Sequence, residues 1–188
     1  MKLVTALAAL AALAACATAT AQPTATPPTA SVYRGPDIAA QRAAMDRLAG
    51  LLGEWRGEAN VFAPQAMLVH QTERVERDLD GLLILVHGAG YATPERTGAA
   101  IFQAVAVISF DDRARRYEFR TYSGGHATTA TGEFLTDGSF RWSFSSGPYL
   151  TRFTIAFNEA SWTEIGEMSR DGGATWTRLV ELNLTRVR

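Results

Sequence analysis

Cysteine and lysine are almost missing from this chain. Cys16 is the only cysteine in 188 residues and sits in an apolar head segment. Without that head, the body has neither a disulfide nor a thiolate metal site to stabilise it. The only lysine is Lys2, so arginine is the basic residue of the body, a bias for which genome base composition is explanation enough. There is no basic block either. The 18 basic and 19 acidic residues give a formal net charge of -1, with no run that could follow a phosphate backbone, which excludes nucleic acid as a partner. The catalytic signatures are equally thin: no Gly-x-Ser-x-Gly elbow, no phosphate-binding glycine loop and no Rossmann fingerprint, since Gly88-Ala89-Gly90 lacks a following helix. His70, His87 and His126 are the only histidines, scattered over three strand candidates without His-x-His or His-Glu-x-x-His spacing. Nothing in this inventory compels an enzyme.

The head does carry information. Lys2 supplies a positive start and Leu3 to Ala15 a short apolar run, too short to cross a bilayer as a permanent helix, so residues 1–15 read as an export signal. Leu13-Ala14-Ala15-Cys16 resembles a bacterial lipobox, in which cleavage before Cys16 leaves that cysteine to be lipid-modified. A second site at Ala19-Thr20-Ala21 would instead remove residues 1–21 and release a soluble protein. The lone cysteine at the one place a lipobox requires, followed by a Thr/Ala/Pro tether, favours the lipoprotein. Either route leads to the periplasm or cell envelope, with a membrane tether through Cys16 in the first. Residues 16–35, rich in Ala, Thr and Pro and without hydrophobic period, read as a disordered linker.

Residues 36–188 read as one domain, and the chain as a whole has an ordinary globular composition, 47% hydrophobic and 10% aromatic. Ile38, Met45, Leu48 and Leu52 recur at helical spacing between Pro36 and Gly53, predicting one short helix over Pro36–Leu52. Ten strand candidates follow, at 54–62, 67–78, 83–93, 101–110, 115–123, 126–134, 139–147, 150–158, 161–168 and 175–187. Turn chemistry such as Asp137-Gly138 and Asp171-Gly172-Gly173 joins neighbours as antiparallel hairpins. The prediction is all-β: a single ten-stranded up-and-down antiparallel barrel behind one helix. Closure removes both sheet edges, and ten strands leave room inside, since about eight already enclose a core or small ligand.

Period two predicts which side chains share a face. Phe140, Trp142 and Phe144 do, as do Phe153, Ile155 and Phe157, and Tyr117 and Phe119. Such aromatics either fill the interior or wall a pocket for an apolar molecule, with Tyr117, Phe119, Trp142 and Phe153 as the wall. Arg178 shares parity with Trp176, Val180, Leu182 and Leu184, which would set a guanidinium near the interior. It would there meet an acidic, fatty-acid-like ligand, lie at the barrel mouth, or pair with an internal acid such as Glu164. His126 shares parity with Phe134, and His87 with Leu83, Leu85 and Tyr91, so either histidine could face inward. Glu73, Arg74, Glu76 and Arg77 read as outer-surface ion pairs, and Asp111-Asp112 with Arg113, Arg115 and Arg116 as a solvated hairpin tip.

Gly53-Glu54-Trp55-Arg56-Gly57, directly after the helix, resembles the first strand of lipocalin-like, or calycin-type, barrels. The order of helix and about ten strands over residues 45–188 is similar to exported bacterial lipocalin-like families of unknown function, DUF1579 among them, and more distantly to nitrobindin-type haem barrels. The resemblance implies a barrel with Gly53, Trp55 and Gly57 as structural motif, Trp55 plugging one end, and an apolar cavity open at the other. In nitrobindin-type barrels another glycine follows, where this chain has Ala59, and the haem histidine lies late in the barrel. Strands 150–158, 161–168 and 175–187 hold no histidine. Haem is therefore not carried over, and no cofactor or metal site is expected. The expected function is binding of a small, largely apolar or amphipathic molecule, with Tyr117, Phe119, Trp142, Phe153, Arg178 and His126 as candidate ligand contacts. The alternatives are a haem- or metal-dependent enzyme using an inward histidine, a non-binding structural envelope lipoprotein, and a partner-binding module using the mouth loops.

Overall fold

A computed structural model describes residues 35–187. The export signal, Cys16 and nearly all of the linker lie outside the described residues. Among those described, ten antiparallel strands close into a barrel: β1 (Gly53–Val61), β2 (Met67–Asp78), β3 (Leu83–Tyr91), β4 (Phe102–Asp111), β5 (Arg116–Ser123), β6 (His126–Phe134), β7 (Phe140–Ser146), β8 (Tyr149–Phe157), β9 (Ser161–Ser169) and β10 (Thr177–Arg186). Each strand pairs with its neighbour in sequence, and β10 returns to β1 to complete the ring.

One end is plugged. The expected single helix is shorter and broken: α1 spans Ile38–Asp46, and a 3-10 turn, Ala49–Leu51, follows it. The break turns the chain into β1 and points Met45, Leu48 and Leu51, all fully buried, down into the barrel. Asp37 caps α1 by accepting from the Ala40 amide at 3.0 Å. The Asp111–Arg116 turn does more than face solvent. The Asp112 carboxylate accepts from the Asp37 amide at 3.0 Å and from Gln41 Nε2 at 2.7 Å, and so moors the helix to the β4–β5 hairpin.

β1 and β10 meet closely where the second glycine of the opening motif lies. A Cβ on Gly57 would overlap the backbone carbonyl of Asn183 on β10, which cannot rotate away as a side chain could. Gly57→Ala is therefore expected to part the barrel's closing seam and lower stability by about 1–3 kcal/mol, the usual range for overpacking. A thermal melt checks this, and an unchanged midpoint would show that the seam has slack.

Two parity expectations fail, each for a visible reason. β10 carries a bulge between Arg178 and Val180, so the residues before it are inverted relative to those after it. Val180, Leu182 and Leu184 face inward, whereas Arg178 opposes Glu167 on the outer wall and donates to Glu181 Oε2 at 2.7 Å. Trp176 precedes the strand and stacks on the Arg152 guanidinium at 3.8 Å. On β3 the inward set is Ile84, Val86, Gly88 and Gly90, which opposes Arg77, Val75, Glu73 and Gln71 of β2. Leu83, Leu85, His87 and Tyr91 therefore face out. Both faces of Leu83-Ile84-Leu85-Val86 are apolar, so hydrophobicity could not tell them apart.

Candidate functional site

The interior is built in layers from the plugged end upward. At the bottom, Trp55 is fully buried, its Nε1 donating to the Leu51 carbonyl at 2.7 Å and its ring meeting Trp162 edge-on at 5.8 Å. Arg186, opposite Trp55 on β10, spreads its guanidinium 4.1 Å over that ring and donates to the carbonyls of Leu52 and Gly50. One arginine thus ties together the 3-10 turn, the first strand and the last. Around this floor Tyr117 packs edge-on against Phe110, Phe134 and Phe140 and gives its hydroxyl proton to the Ala44 carbonyl at 2.7 Å. Burial raises the Tyr117 pKa, so it remains a phenol. Tyr117 belongs to the plug rather than to a pocket wall.

Above the floor the aromatics change from edge-on to parallel. Trp142 lies flat between Phe119, at 4.5 Å and 4°, and Phe153, at 4.1 Å and 7°, with Phe144 farther up at 6.1 Å. Trp142 and Phe153 are direct cross-strand partners, but Phe119 is two strands from Trp142. They touch because β6 offers only Ala130 and Gly132 on its inner face between them, and a Cβ on Gly132 would already collide with Phe140 and Tyr117. Small residues on one strand let rings from its two neighbours close over it.

Facing this stack are two carboxyl groups. Glu73 opposes Trp55 and Gly88, and Glu164 opposes Ile155 and Leu182, so both point into the lumen. Gln71 Nε2 donates to Glu73 Oε1 at 2.7 Å, and Trp142 Nε1 to Glu164 Oε1 at 3.3 Å. Burial pushes the Glu73 pKa up to about 8, against the pull of the Gln71 bond and with repulsion from Glu164 adding to the rise. Burial likewise pushes Glu164 up to about 7. Glu164 is walled in on every side yet keeps part of its surface accessible, as do Trp142, Phe153 and Met168. By strand register all four side chains stand on the inner face of the sheet. The plugged end, by contrast, is packed solid around Trp55, Phe140 and Trp162.

The far rim carries Phe62, Met67, Leu68, Ile101, Phe102 and Tyr149 exposed on or beside its loops, together with Arg96 of the β3–β4 loop, which donates to the carbonyls of Gln71 and Gly57. His126 starts β6 on this rim with inward parity but exposed. His87 lies outside, 3.7 Å from Glu76, and His70 lies outside, 3.5 Å from Glu58. Among the described residues no three His, Cys, Asp or Glu side chains gather as a metal site.

The structure thus brings together Phe119, Trp142 and Phe153 of the expected wall, sets Tyr117 below them and His126 above, and removes Arg178 to the outside. Sequence reasoning missed Glu73 as an inward group, having assigned it to an outer ion-pair row. Arg74 and Glu76 do form such a pair, at 2.7 Å. The signal was there in parity: Val69, Gln71, Glu73 and Val75 share one face, and two of the four are valines. Arg186 was missed too, though its pairing with Trp55 follows from closure of the ring.

No protein-family model matches the chain, and no curated protein matches its sequence. Solved structures do. Rv2717c from M. tuberculosis superposes with a TM-score of 0.62 at 12% identity, covering 77% of this chain and 98% of that one. The S-type phycobiliprotein lyase CPES from Guillardia theta superposes with a TM-score of 0.52 at 11% identity, covering 77% and 93%. At these identities the likeness is one of fold: a lipocalin-like, calycin-type barrel.

Proposed function

We propose that this barrel is a binding protein for one small, flat, largely apolar molecule, taken up through the far rim and held against the Phe119–Trp142–Phe153 stack. The observation that carries the reading is inward-facing accessible surface on Trp142, Phe153 and Glu164 above a solid floor. A barrel serving only as a structural element would have this space filled by side chains. The parallel rings offer the flat faces that planar ligands stack on, and the apolar side chains on the rim give such a molecule a path in. That an S-type phycobiliprotein lyase is built on the same fold lends support to small-molecule handling by a barrel of this shape. Within the same proposal the protein works in the periplasm or envelope, tethered through Cys16 where the lipobox is used, and shares descent with the exported DUF1579-like families.

The test uses N-phenyl-1-naphthylamine, a neutral aromatic fluorophore. The expected result is saturable, one-site fluorescence enhancement with quenching of tryptophan emission. Trp142→Leu removes the central stacking surface and is expected to weaken uptake about tenfold, the equivalent of roughly 1.4 kcal/mol of lost ring contact. Arg178→Met, on the outer wall, is expected to leave it unchanged. Absence of saturable uptake by the native protein would overturn the reading.

A further inference from the structure

We propose that the ligand of this lumen carries a positive charge: a flat organic cation, such as a protonated aromatic amine or amidine, whose ring lies on the Trp142 stack and whose nitrogen is held between Glu73 and Glu164. The inference rests on the binding function proposed above and narrows its ligand class.

Register sets Glu73 and Glu164 toward the interior, and the nearest bases are spent on other groups: Arg186 on the floor, and Arg96 of the β3–β4 loop on the carbonyls of Pro94, Gln71 and Gly57. Ion pairs on the outer wall are balanced, as in Arg152 with Glu167 at 2.8 Å and Arg178 with Glu181 at 2.7 Å. Neither Glu73 nor Glu164 has an ion-pair partner among the described residues. From β1 Glu73 is faced by Trp55 and from β3 by Gly88; from β8 Glu164 is faced by Ile155 and from β10 by Leu182, and none of these titrates. Arg186 lies on the register line that runs through Trp55 to Glu73, but its guanidinium is turned down over the Trp55 ring to the carbonyls of the plug. Each carboxyl therefore acts on the other and on whatever enters.

The neighbours of the two acids are arranged for ionised carboxylates. Gln71 and Trp142 donate to them. Trp162 Nε1, buried with its ring, is directed at Glu164 as well but falls short of full hydrogen-bond geometry. A buried donor short of its acceptor is costly, and the cost falls when Glu164 ionises, because a carboxylate oxygen is a stronger acceptor for the indole N–H than a neutral carboxyl. A bound cation provides the reason to ionise, since a charge in a poorly solvated site is stable only when paired. Gly88 supports the same geometry. A Cβ there would come within 2.7 and 2.8 Å of the Glu73 carboxyl oxygens, so the bare backbone is what lets that group lie where it does. A flat cation is matched at both ends, with its face on an indole and its charge on carboxylates.

Three probes of similar outline test this on the intact protein: 9-aminoacridinium as cation, anthracene-9-carboxylate as anion, and neutral N-phenyl-1-naphthylamine. The cation is expected to bind at least tenfold tighter than the neutral probe at pH 8, the anion more weakly than either. Cation affinity is expected to rise at least tenfold from pH 6 to pH 8 while the neutral probe's stays flat, because each carboxyl must shed its proton to pair. Glu164→Gln and, separately, Glu73→Gln are expected to cut the cation-to-neutral ratio at least fivefold with neutral binding retained, which also reports that each variant is folded. Neutral uptake without cation preference, or a preference unmoved by both variants, overturns the charge assignment and leaves the binding function standing. Failure of every probe overturns both.

Discussion

Trp55→Ala is expected to remove about 3–5 kcal/mol of folding stability, the range for deleting a fully buried tryptophan, and to lower the melting midpoint by roughly 10 °C for a domain of this size. The size of the effect follows from what the ring touches. Its indole N–H satisfies the Leu51 carbonyl at 2.7 Å, its edge meets Trp162, and its face carries the Arg186 guanidinium at 4.1 Å. Truncation leaves a hole at the point where the plug, the first strand and the last strand converge. It also strands a buried carbonyl, and it strips one side of an arginine whose other bonds hold Gly50 and Leu52. Trp55→Phe keeps most of the ring and loses the N–H, so it should cost about 1–3 kcal/mol. Chemical denaturation of the two variants separates packing from hydrogen bonding. A Trp55→Ala protein within 1 kcal/mol of the native one would mean that the plug, not the indole, holds this end shut.

Trp55 also marks what could be read from the chain and what could not. Strand number and closure were legible because alternation over nine or ten residues is a strong signal and glycine turns break it at regular intervals, whereas the plugged end was implied by the resemblance that Gly53, Trp55 and Gly57 carry. Phe119, Trp142 and Phe153 were legible as a group for the same reason. Arg178 was not, because a bulge of one residue inverts a face and leaves no mark in hydrophobicity. His87 was not, because β3 is apolar on both sides. Glu73 was hidden by its company: among Arg74, Glu76 and Arg77 a glutamate looks like one more member of a solvated row, and its parity with Val69 and Val75 gained its meaning only once register set it against Trp55. Glu164, by contrast, was legible as an internal acid from its parity with Trp162 and Met168. Composition reports an ordinary protein of net charge -1 and cannot say that two of its negative groups are inside.

Those two groups should make the empty protein less stable as the pH rises through neutrality. A glutamate in the unfolded chain loses its proton near 4.5, whereas Glu73 holds its proton to about 8 and Glu164 to about 7. Between these limits the native state binds more protons than the unfolded one, so stability falls with increasing pH. It is fully present below about 4.5 and lost by about 8. Each unit of separation corresponds to about 1.4 kcal/mol, so the two acids together represent on the order of several kcal/mol. The opposite slope appears in acid. Hydrogen bonds from Thr175 and Ser169 hold Asp171 down at about 2, and Asp112 and Asp137 are lowered too, so their smaller, exposed contributions disappear as the solution turns acid enough to protonate them. Thermal melts without ligand should therefore peak near pH 5 and fall by roughly 10 °C toward pH 8.5. Glu73→Gln cannot ionise; its curve should be flatter, and above pH 8 it should melt higher than the native protein. A native midpoint constant from pH 5 to 8.5 would mean that water or a cation already reaches both carboxylates. If the lumen takes up a cation, adding 9-aminoacridinium should restore the lost midpoint at pH 8.5 in the native protein and do much less in Glu73→Gln, because the ligand then supplies the missing counter-charge only where there is a carboxylate to receive it.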